Sequence, residues 1–357
     1  MKIIHCSDIH LDSRMESNLT AARARERNAE ICATFARMIA YALQEGVSAV
    51  LIAGDLFDTG WVSAQTAGFV LDQIRTAESI VFYYLRGNHD ESRDVFAEMD
   101  IPDNFKTFGE SWTYHTQEDV VIAGLELDRE NCHTLYDSLC LKPENTNIVM
   151  LHGQISTQPG QELIALPELK NKHIDYLALG HIHSYRQERL DQRGSWCYCG
   201  CMEGRGFDEC GEKGFVLLDI QSGRIRTEFV PFATRTLREV DVDITDLVTV
   251  NQIFSAMEQA SAPIPHSDLV KFTLRGEYTL QTQKDLRFLK KMLEGKFYFT
   301  KIKDESRLQI PKEDYEHDIS LKGEFIRMIL ASDRPQEEKD QMILLGIRAL
   351  SGEEVVF

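Results

Sequence analysis

The sequence predicts an α/β protein: a four-layer α-β-β-α sandwich of two packed sheets flanked by helices, with a small C-terminal α+β unit and a helical tail. Three observations predict it. Apolar β-branched runs alternate with amphipathic stretches through residues 1–90. Short strand-like runs dominate from Trp112 to Val230. After Pro231 the pattern changes to one further β-α-β-α-β series and then to helix alone. Alternation of this kind is the mark of layered sheets and helices.

Lys2–Cys6, Val47–Ala53 and Ile80–Leu85 are apolar runs of strand type. Between the first two, Asn28–Glu45 carries Ile31, Phe35, Met38, Ile39, Ala42 and Leu43 on one stripe and closes at Gly46. That is an amphipathic helix with a C-terminal glycine. Ala64–Arg75 is the second helix, and the β-α-β-α-β order implies parallel pairing through right-handed crossovers. Val120–Leu125, Asn147–Leu151, Ile174–Leu179, Trp196–Cys199, Phe215–Ile220 and Arg224–Val230 read as strands. Leu237–Ile244, Val248–Ala260, Leu269–Arg275, Lys284–Leu293 and Lys296–Lys303 then form the small α+β unit. Glu316–Phe357 reads as a helical pair, apolar at Phe325, Ile326, Ile329 and Leu330 and again at Met342, Leu345, Ile347 and Leu350, with Pro335 opening the second helix. The expected division is residues 1–233, 234–312 and 313–357.

Composition narrows the class. A chain of 357 residues exceeds one ordinary core. No apolar run approaches the ~20 residues of a membrane span. The chain opens directly as a strand, with no stretch of signal-peptide type, and eight cysteines at this length do not make a disulfide scaffold. These features point to the cytoplasm. Cys197, Cys199 and Cys201 alternate, with Cys210 following. C-x-C-x-C is not the usual C-x₂-C zinc spacing, so buried reduced thiols are expected there.

The chemistry lies in five segments, each directly after a predicted strand: Asp8-Ile9-His10, Gly54-Asp55-Leu56-Phe57-Asp58, Gly87-Asn88-His89-Asp90, Leu151-His152-Gly153 and Gly180-His181-Ile182-His183. Strand ends of this kind would place the ligands along one rim of a sheet, where open α/β folds keep their sites. The donors suffice for two metal ions sharing a carboxylate, an arrangement that activates water and clamps an in-line phosphoryl displacement. Carboxylates, a carboxamide and neutral imidazoles suit Mn²⁺, Fe²⁺ or Zn²⁺, whereas an all-oxygen cage would suit Mg²⁺. Glycines at 54, 87, 153 and 180 permit close backbone approach.

In this order the motifs D-x-H, GDLFD, GNHD, H-G and GHIH resemble the calcineurin-like metallophosphoesterases, and among them the SbcD-type DNA repair nucleases, whose partner is an SMC-like coiled-coil ATPase. Gly200–Gly214 and the closing KGEFIRMIL extend the likeness over most of the chain. The resemblance implies the metallophosphoesterase sandwich and two divalent ions, Mn²⁺ foremost. Asp8, His10 and His183 would hold one ion, Asn88, His152 and His181 the other, and Asp55 would bridge them. A hydroxide shared by the ions would attack phosphorus while His89 assists the leaving oxygen. Asp58 and Asp90 are expected to orient imidazoles or loop amides, and Arg205 to contact substrate. The resemblance further implies a cap that helps select DNA, partner docking on the helical tail, and homodimerisation near Arg23–Leu43.

Charge complicates a DNA substrate. With 39 basic and 57 acidic residues the chain carries −18, while non-specific DNA affinity comes from Lys and Arg clusters. Arg14, Arg23, Arg25, Arg27, Arg86, Arg93, Arg205 and Arg235 are the local basic groups. Weak DNA binding by the isolated chain is therefore expected. Two other readings are a phosphoesterase of small substrates and a non-catalytic scaffold; the complete ligand set with His89 argues against the scaffold.

Overall fold

The computed structural model describes residues 1–15, 19–58, 62–90, 95–97, 99–311 and 313–350. The chain divides into two compact units, Met1–Leu237 and Arg238 onward.

In chain order the first unit begins with β1 (Lys2–Cys6), α1 (Ala21–Gln44), β2 (Ala49–Ala53), α2 (Ala64–Thr76), β3 (Val81–Leu85) and β4 (Phe105–Thr107). It continues with β5 (Thr113–Gln117), β6 (Val120–Gly124), α3 (Leu135–Ser138), β7 (Thr146–His152), β8 (Gln154–Ser156), β9 (Leu163–Ala165) and α4 (Leu166–Leu169). Five strands close it: β10 (Tyr176–Gly180), β11 (Arg186–Arg189), β12 (Ser195–Tyr198), β13 (Gly214–Gln221) and β14 (Arg224–Pro231). Two six-stranded sheets result, ordered β14-β13-β1-β2-β3-β4 and β11-β12-β10-β7-β6-β5. β1 to β4 are parallel and β13 joins β1 antiparallel. In the second sheet β6, β7, β10 and β12 are parallel, with antiparallel β5 and β11 at the edges.

Both faces of each central strand are buried, which is why these strands read as continuous apolar runs rather than alternating ones. Between the sheets, Ile3, Leu51, Ala53 and Leu85 meet Ile148, Met150, Ala178 and Cys197. On the outer side of the first sheet, Phe35, Met38 and Ile39 of α1 and Val70 and Ile74 of α2 pack on Ile4, Val50, Ile52 and Phe82. Truncating a side chain such as Phe35 to alanine there costs about 3–5 kcal/mol. Leu135, Tyr136 and Leu169 cover Val149, Leu177 and Trp196 on the outside of the second sheet.

Two expectations are corrected. The five ligand-bearing strands do not share one sheet: β1, β2 and β3 lie in the first, β7 and β10 in the second. Their ends converge because the sheets face each other. Helix α1 starts at Ala21, capped by the Thr20 side chain, not at Asn28. Its first turns carry Arg27, weighed in sequence as a basic group for DNA, but Arg27 is buried and pairs with Glu30 and with Glu203 at 3.0 Å.

In the second unit, β15 (Leu237–Asp243), α5 (Val250–Ser261), β16 (Leu269–Arg275), β17 (Glu277–Tyr278), α6 (Leu286–Met292), β18 (Phe299–Asp304) and β19 (Arg307–Leu308) precede α7 (Glu313–Glu316), α8 (Leu321–Leu330) and α9 (Gln336–Leu350). A three-stranded sheet ordered β15-β16-β18 packs Val270 and Phe272 against Ile253 and Met257 of α5 and Leu289 of α6. Thr249 and Gln252 form a reciprocal cap on α5. Ile326, Ile329 and Ile343 join α8 to α9. Among the described residues no helix is long and apolar enough to cross a membrane.

Candidate metal centre

Just past β1 the chain turns through Asp8 and His10 at φ 49° and 51°, and Asp55 after β2 and His181 after β10 take φ 51° and 96°. Left-handed conformations of non-glycine residues cost about 1–3 kcal/mol each and gather at functional sites. Main-chain hydrogen bonds hold them here: Asp8 donates to Gly54 at 3.0 Å, Ile9 to Asp55 at 2.9 Å and Leu11 to Leu56 at 2.9 Å. Asp90 joins the next loop to these two, accepting from the amides of Leu56, Phe57 and Gly87 at 3.2, 2.9 and 2.9 Å. Burial and the nearby Asp55 charge push its carboxyl up to about 6. Glycine is required at two approaches. A Cβ on Gly54 would stand 2.0 Å from His152 Nδ1, and one on Gly87 would stand 2.2 Å from Asp55 Oδ1.

The loops bring the expected ligands together. On one side His10 Nε2 lies 3.2 Å from His183 Nε2, which is 3.6 Å from Asp8 Oδ1. On the other, Asn88 Oδ1 lies 3.0 Å from His152 Nε2 and 3.2 Å from His181 Nδ1. Asp55 Oδ2 sits between the groups, 3.9 Å from His10 Nε2 and 3.4 Å from His152 Nε2. The amide of His89 donates to Asp55 Oδ1 at 2.9 Å, while its ring Nδ1 stands 3.1 Å from the Asp58 carbonyl oxygen.

Do these groups fit metal ions? His152 Nδ1 faces the Ala53 carbonyl at 2.9 Å and His183 Nδ1 faces Glu209 Oε1 at 2.7 Å. Both partners accept only, so each Nδ1 carries a hydrogen, and in the neutral ring each Nε2 would present a lone pair toward other acceptors. Such a set is repulsive unless positive charge lies among it. Burial disfavours imidazolium at His152 and His183, yet Asp55 in the first case and Asp8 with Glu209 in the second raise both to about 9. Burial would likewise lift the Asp8 and Asp55 carboxyls, but His183 and His152 hold both below the usual carboxylate range. Divalent cations meet the same demand, and the donor set suits Mn²⁺, Fe²⁺ or Zn²⁺.

Asp58 and Arg205 stand behind this set. Asp58 Oδ1 is 3.0 Å from His10 Nδ1, and its carboxyl, opposed by burial but favoured by His10, Ser13 and Arg205, falls to about 2. Arg205, expected at the substrate, is instead turned onto carboxylates: Asp58 Oδ1 at 2.7 Å and Glu209 Oε1 at 3.0 Å. Glu209 escaped sequence reasoning. It sits in the GFDEC segment already marked as part of the extended likeness, but 26 positions from His183 no periodicity links them.

The cysteines stay out of the centre. Cys197 and Cys199 belong to the core between the sheets, none of the eight cysteines is in a disulfide, and burial pushes Cys197 up to about 12 and raises Cys199 and Cys201 as well. Several of the arginines weighed for DNA are also committed: Arg27 to Glu203, Arg86 to Glu126 at 2.8 Å, and Arg235 to Glu30 at 2.8 Å. Arg93 lies outside the described residues. From Asn88 and His152 a groove of about 740 Å³ runs past Arg86 and Arg129, and acidic Glu110, Glu126, Asp128, Glu130 and Glu162 line it.

Two facing sheets with carboxylate, carboxamide and imidazole donors gathered at their strand ends are those of a metallophosphoesterase, a metal-dependent hydrolase. The chain belongs to the calcineurin-like phosphoesterase family, whose model matches residues 1–185. It is 27% identical over 273 residues to the uncharacterized metallophosphoesterase YhaO of Bacillus subtilis, covering 72% of this chain and 67% of that one. It is 26% identical to the SbcD component of the SbcCD nuclease of Escherichia coli K12, covering 64% and 67%. To the DNA double-strand break repair protein Mre11 of Saccharolobus solfataricus it is 24% identical, over 100% of this chain and 97% of that one.

Proposed function

We propose that this chain cleaves DNA phosphodiesters with two divalent ions, Mn²⁺ foremost, as the nuclease subunit of a repair complex driven by an SMC-like coiled-coil ATPase. The observation that carries the proposal is the pair of donor groups sharing Asp55, with His89 beside them at the solvent rim. Asp8, His10 and His183 would hold one ion and Asn88, His152 and His181 the other. When bound, such ions activate water and offset the charge that builds on phosphate. The Asp58 carbonyl accepts from His89 Nδ1–H and orients the ring, so that as the imidazolium it would pass its Nε2 proton to the leaving oxygen and return to the neutral Nδ1–H form.

DNA as substrate is supported by the relatives named as a nuclease component and as a break-repair protein, the second aligned along the whole chain. A partner is supported by Ile319, Leu321, Met328 and Leu345, exposed on and beside the α8–α9 pair, which suit helix-in-groove docking. We assign the second unit to DNA selection, α1 to a homodimer contact, and the protein to the cytoplasm, where eight cysteines outside any disulfide are at home.

One observation favours a small substrate instead. The groove beside Asn88 and His152 has the volume of a small-ligand pocket, which spans about 300–1,000 Å³. Its acidic lining repels phosphates of a small ligand and of DNA alike, so the lining does not separate the two readings.

The test is hydrolysis of linear double- and single-stranded DNA beside bis-p-nitrophenyl phosphate, with Mn²⁺ and with EDTA. DNA cleavage that needs Mn²⁺ supports the proposal. Cleavage of the small diester alone, even with the ATPase partner supplied, would replace it with the small-substrate reading.

A further inference from the structure

Behind the metal centre a single guanidinium joins two carboxylates. Asp58 Oδ1 lies 3.0 Å from His10 Nδ1 and accepts from Arg205 Nη1 at 2.7 Å. Glu209 Oε1 lies 2.7 Å from His183 Nδ1 and accepts from Arg205 Nη2 at 3.0 Å. The far ends of the two imidazoles then meet, Nε2 to Nε2, at 3.2 Å. Among the described residues the other donor group shows no carboxylate hydrogen-bonded behind its imidazoles; His152 Nδ1 faces a main-chain carbonyl instead.

We propose that Glu209 and Arg205 are positioning residues: with Asp58 they clamp His10 and His183 so that both present Nε2 to one ion, which makes that ion the more tightly held of the two. The inference rests on the ligand assignment proposed above. A carboxylate behind a ligating imidazole fixes its tautomer and ring plane and raises its basicity, and loss of such a partner costs about 10–100-fold in metal affinity. Among the described residues only the Asp8–His10–His183 side has such carboxylates: Glu209 is hydrogen-bonded to His183 and Asp58 Oδ1 stands 3.0 Å from His10 Nδ1. The bridging cation must also be arginine. Its planar fork reaches two acceptors at fixed angles, whereas a lysine ammonium is a point charge on a flexible stem. The fork is itself held in place, since Glu209 Oε2 accepts from the Arg205 amide at 2.7 Å. Glu209 is buried and Arg205 half-buried behind the imidazoles, with side chains 6% and 17% exposed, and both are turned onto the network rather than outward.

The experiment is titration of the metal-free full-length chain with Co²⁺, followed by its visible absorption and by equilibrium dialysis, for wild type, Glu209→Gln and Arg205→Lys. Wild type is expected to bind two ions in separable steps. Glu209→Gln keeps an acceptor of the same shape but no charge, and Arg205→Lys keeps the charge but no fork. Each is expected to weaken the first step by about 10–100-fold, to alter its absorption bands, and to leave the second step within about threefold. Thermal unfolding of the metal-free variants separates this from a structural role. A lowered midpoint with both Co²⁺ steps unchanged means the network merely braces the loop, and overturns the clamp. Unchanged steps with unchanged stability overturn it as well. If wild type itself takes up fewer than two ions, the ligand assignment fails and the clamp with it.

Discussion

His89 Nδ1 lies 3.1 Å from the main-chain carbonyl oxygen of Asp58, while the ring, 44% exposed, stands edge-on to His10. The same residue's amide binds Asp55 Oδ1, so main chain rather than side chain ties His89 to the metal centre. His89→Ala should therefore retain both ions, measured by elemental analysis, and lose about 10²–10⁴-fold in turnover of bis-p-nitrophenyl phosphate. Loss of an ion together with activity would make His89 a ligand.

Gly87 offers a steric probe of Asp55. A Cβ there would meet Asp55 Oδ1 at 2.2 Å and its amide nitrogen at 2.6 Å. Gly87→Ala is expected to displace the shared carboxylate, lower metal content and destabilise the first unit by about 1–3 kcal/mol. Wild-type metal content and rate would show that the carboxylate does not depend on this close approach.

Metal uptake should release protons. Without ions, His152 and His183 titrate near 9, raised by carboxylates against burial, so both are protonated at neutral pH. His10 and His181 are lowered by burial and contribute none. Ions need neutral imidazole, so binding near pH 7.5 should expel about two protons. Affinity should then rise as pH climbs toward 9 and level off above it. Calorimetry in two buffers of different ionisation enthalpy measures the release; identical heats would contradict it.

Chelation should cost stability. Bound ions stabilise the folded chain by about 2.7 kcal/mol when present at 100 times their dissociation constant. Thermal unfolding with Mn²⁺ and then with excess EDTA should show a lower midpoint after chelation. An unchanged midpoint would mean that no ion is bound by the native state.

Much of the site is legible in sequence because each loop follows an apolar run with ligand-type residues, four of the five with a glycine beside them. Residues such as Asp55 and Asn88 thereby declare themselves. Which sheet each strand joins is not legible, since periodicity reports burial and not partners, and β7 and β10 read no differently from β2. Helix α1 reads as beginning too late because only the apolar stripe from Ile31 marks it, and the Glu203 that pairs with Arg27 ahead of that stripe lies 176 positions away. Glu209 and the pairing of Arg205 are hidden for the same reason: buried ion pairs are matched in space, and nothing in local spacing records the match. Short polar edge strands such as β11, Arg186–Arg189, carry no apolar pattern to detect.

Metal content and diester hydrolysis of Asp55→Ala beside wild type, both loaded with Mn²⁺, bear most closely on the shared carboxylate. Asp55 Oδ2 lies within 4 Å of donors from both groups, so its removal should leave at most one ion per chain and abolish turnover. Two ions retained with an undiminished rate would contradict a dinuclear centre joined by Asp55.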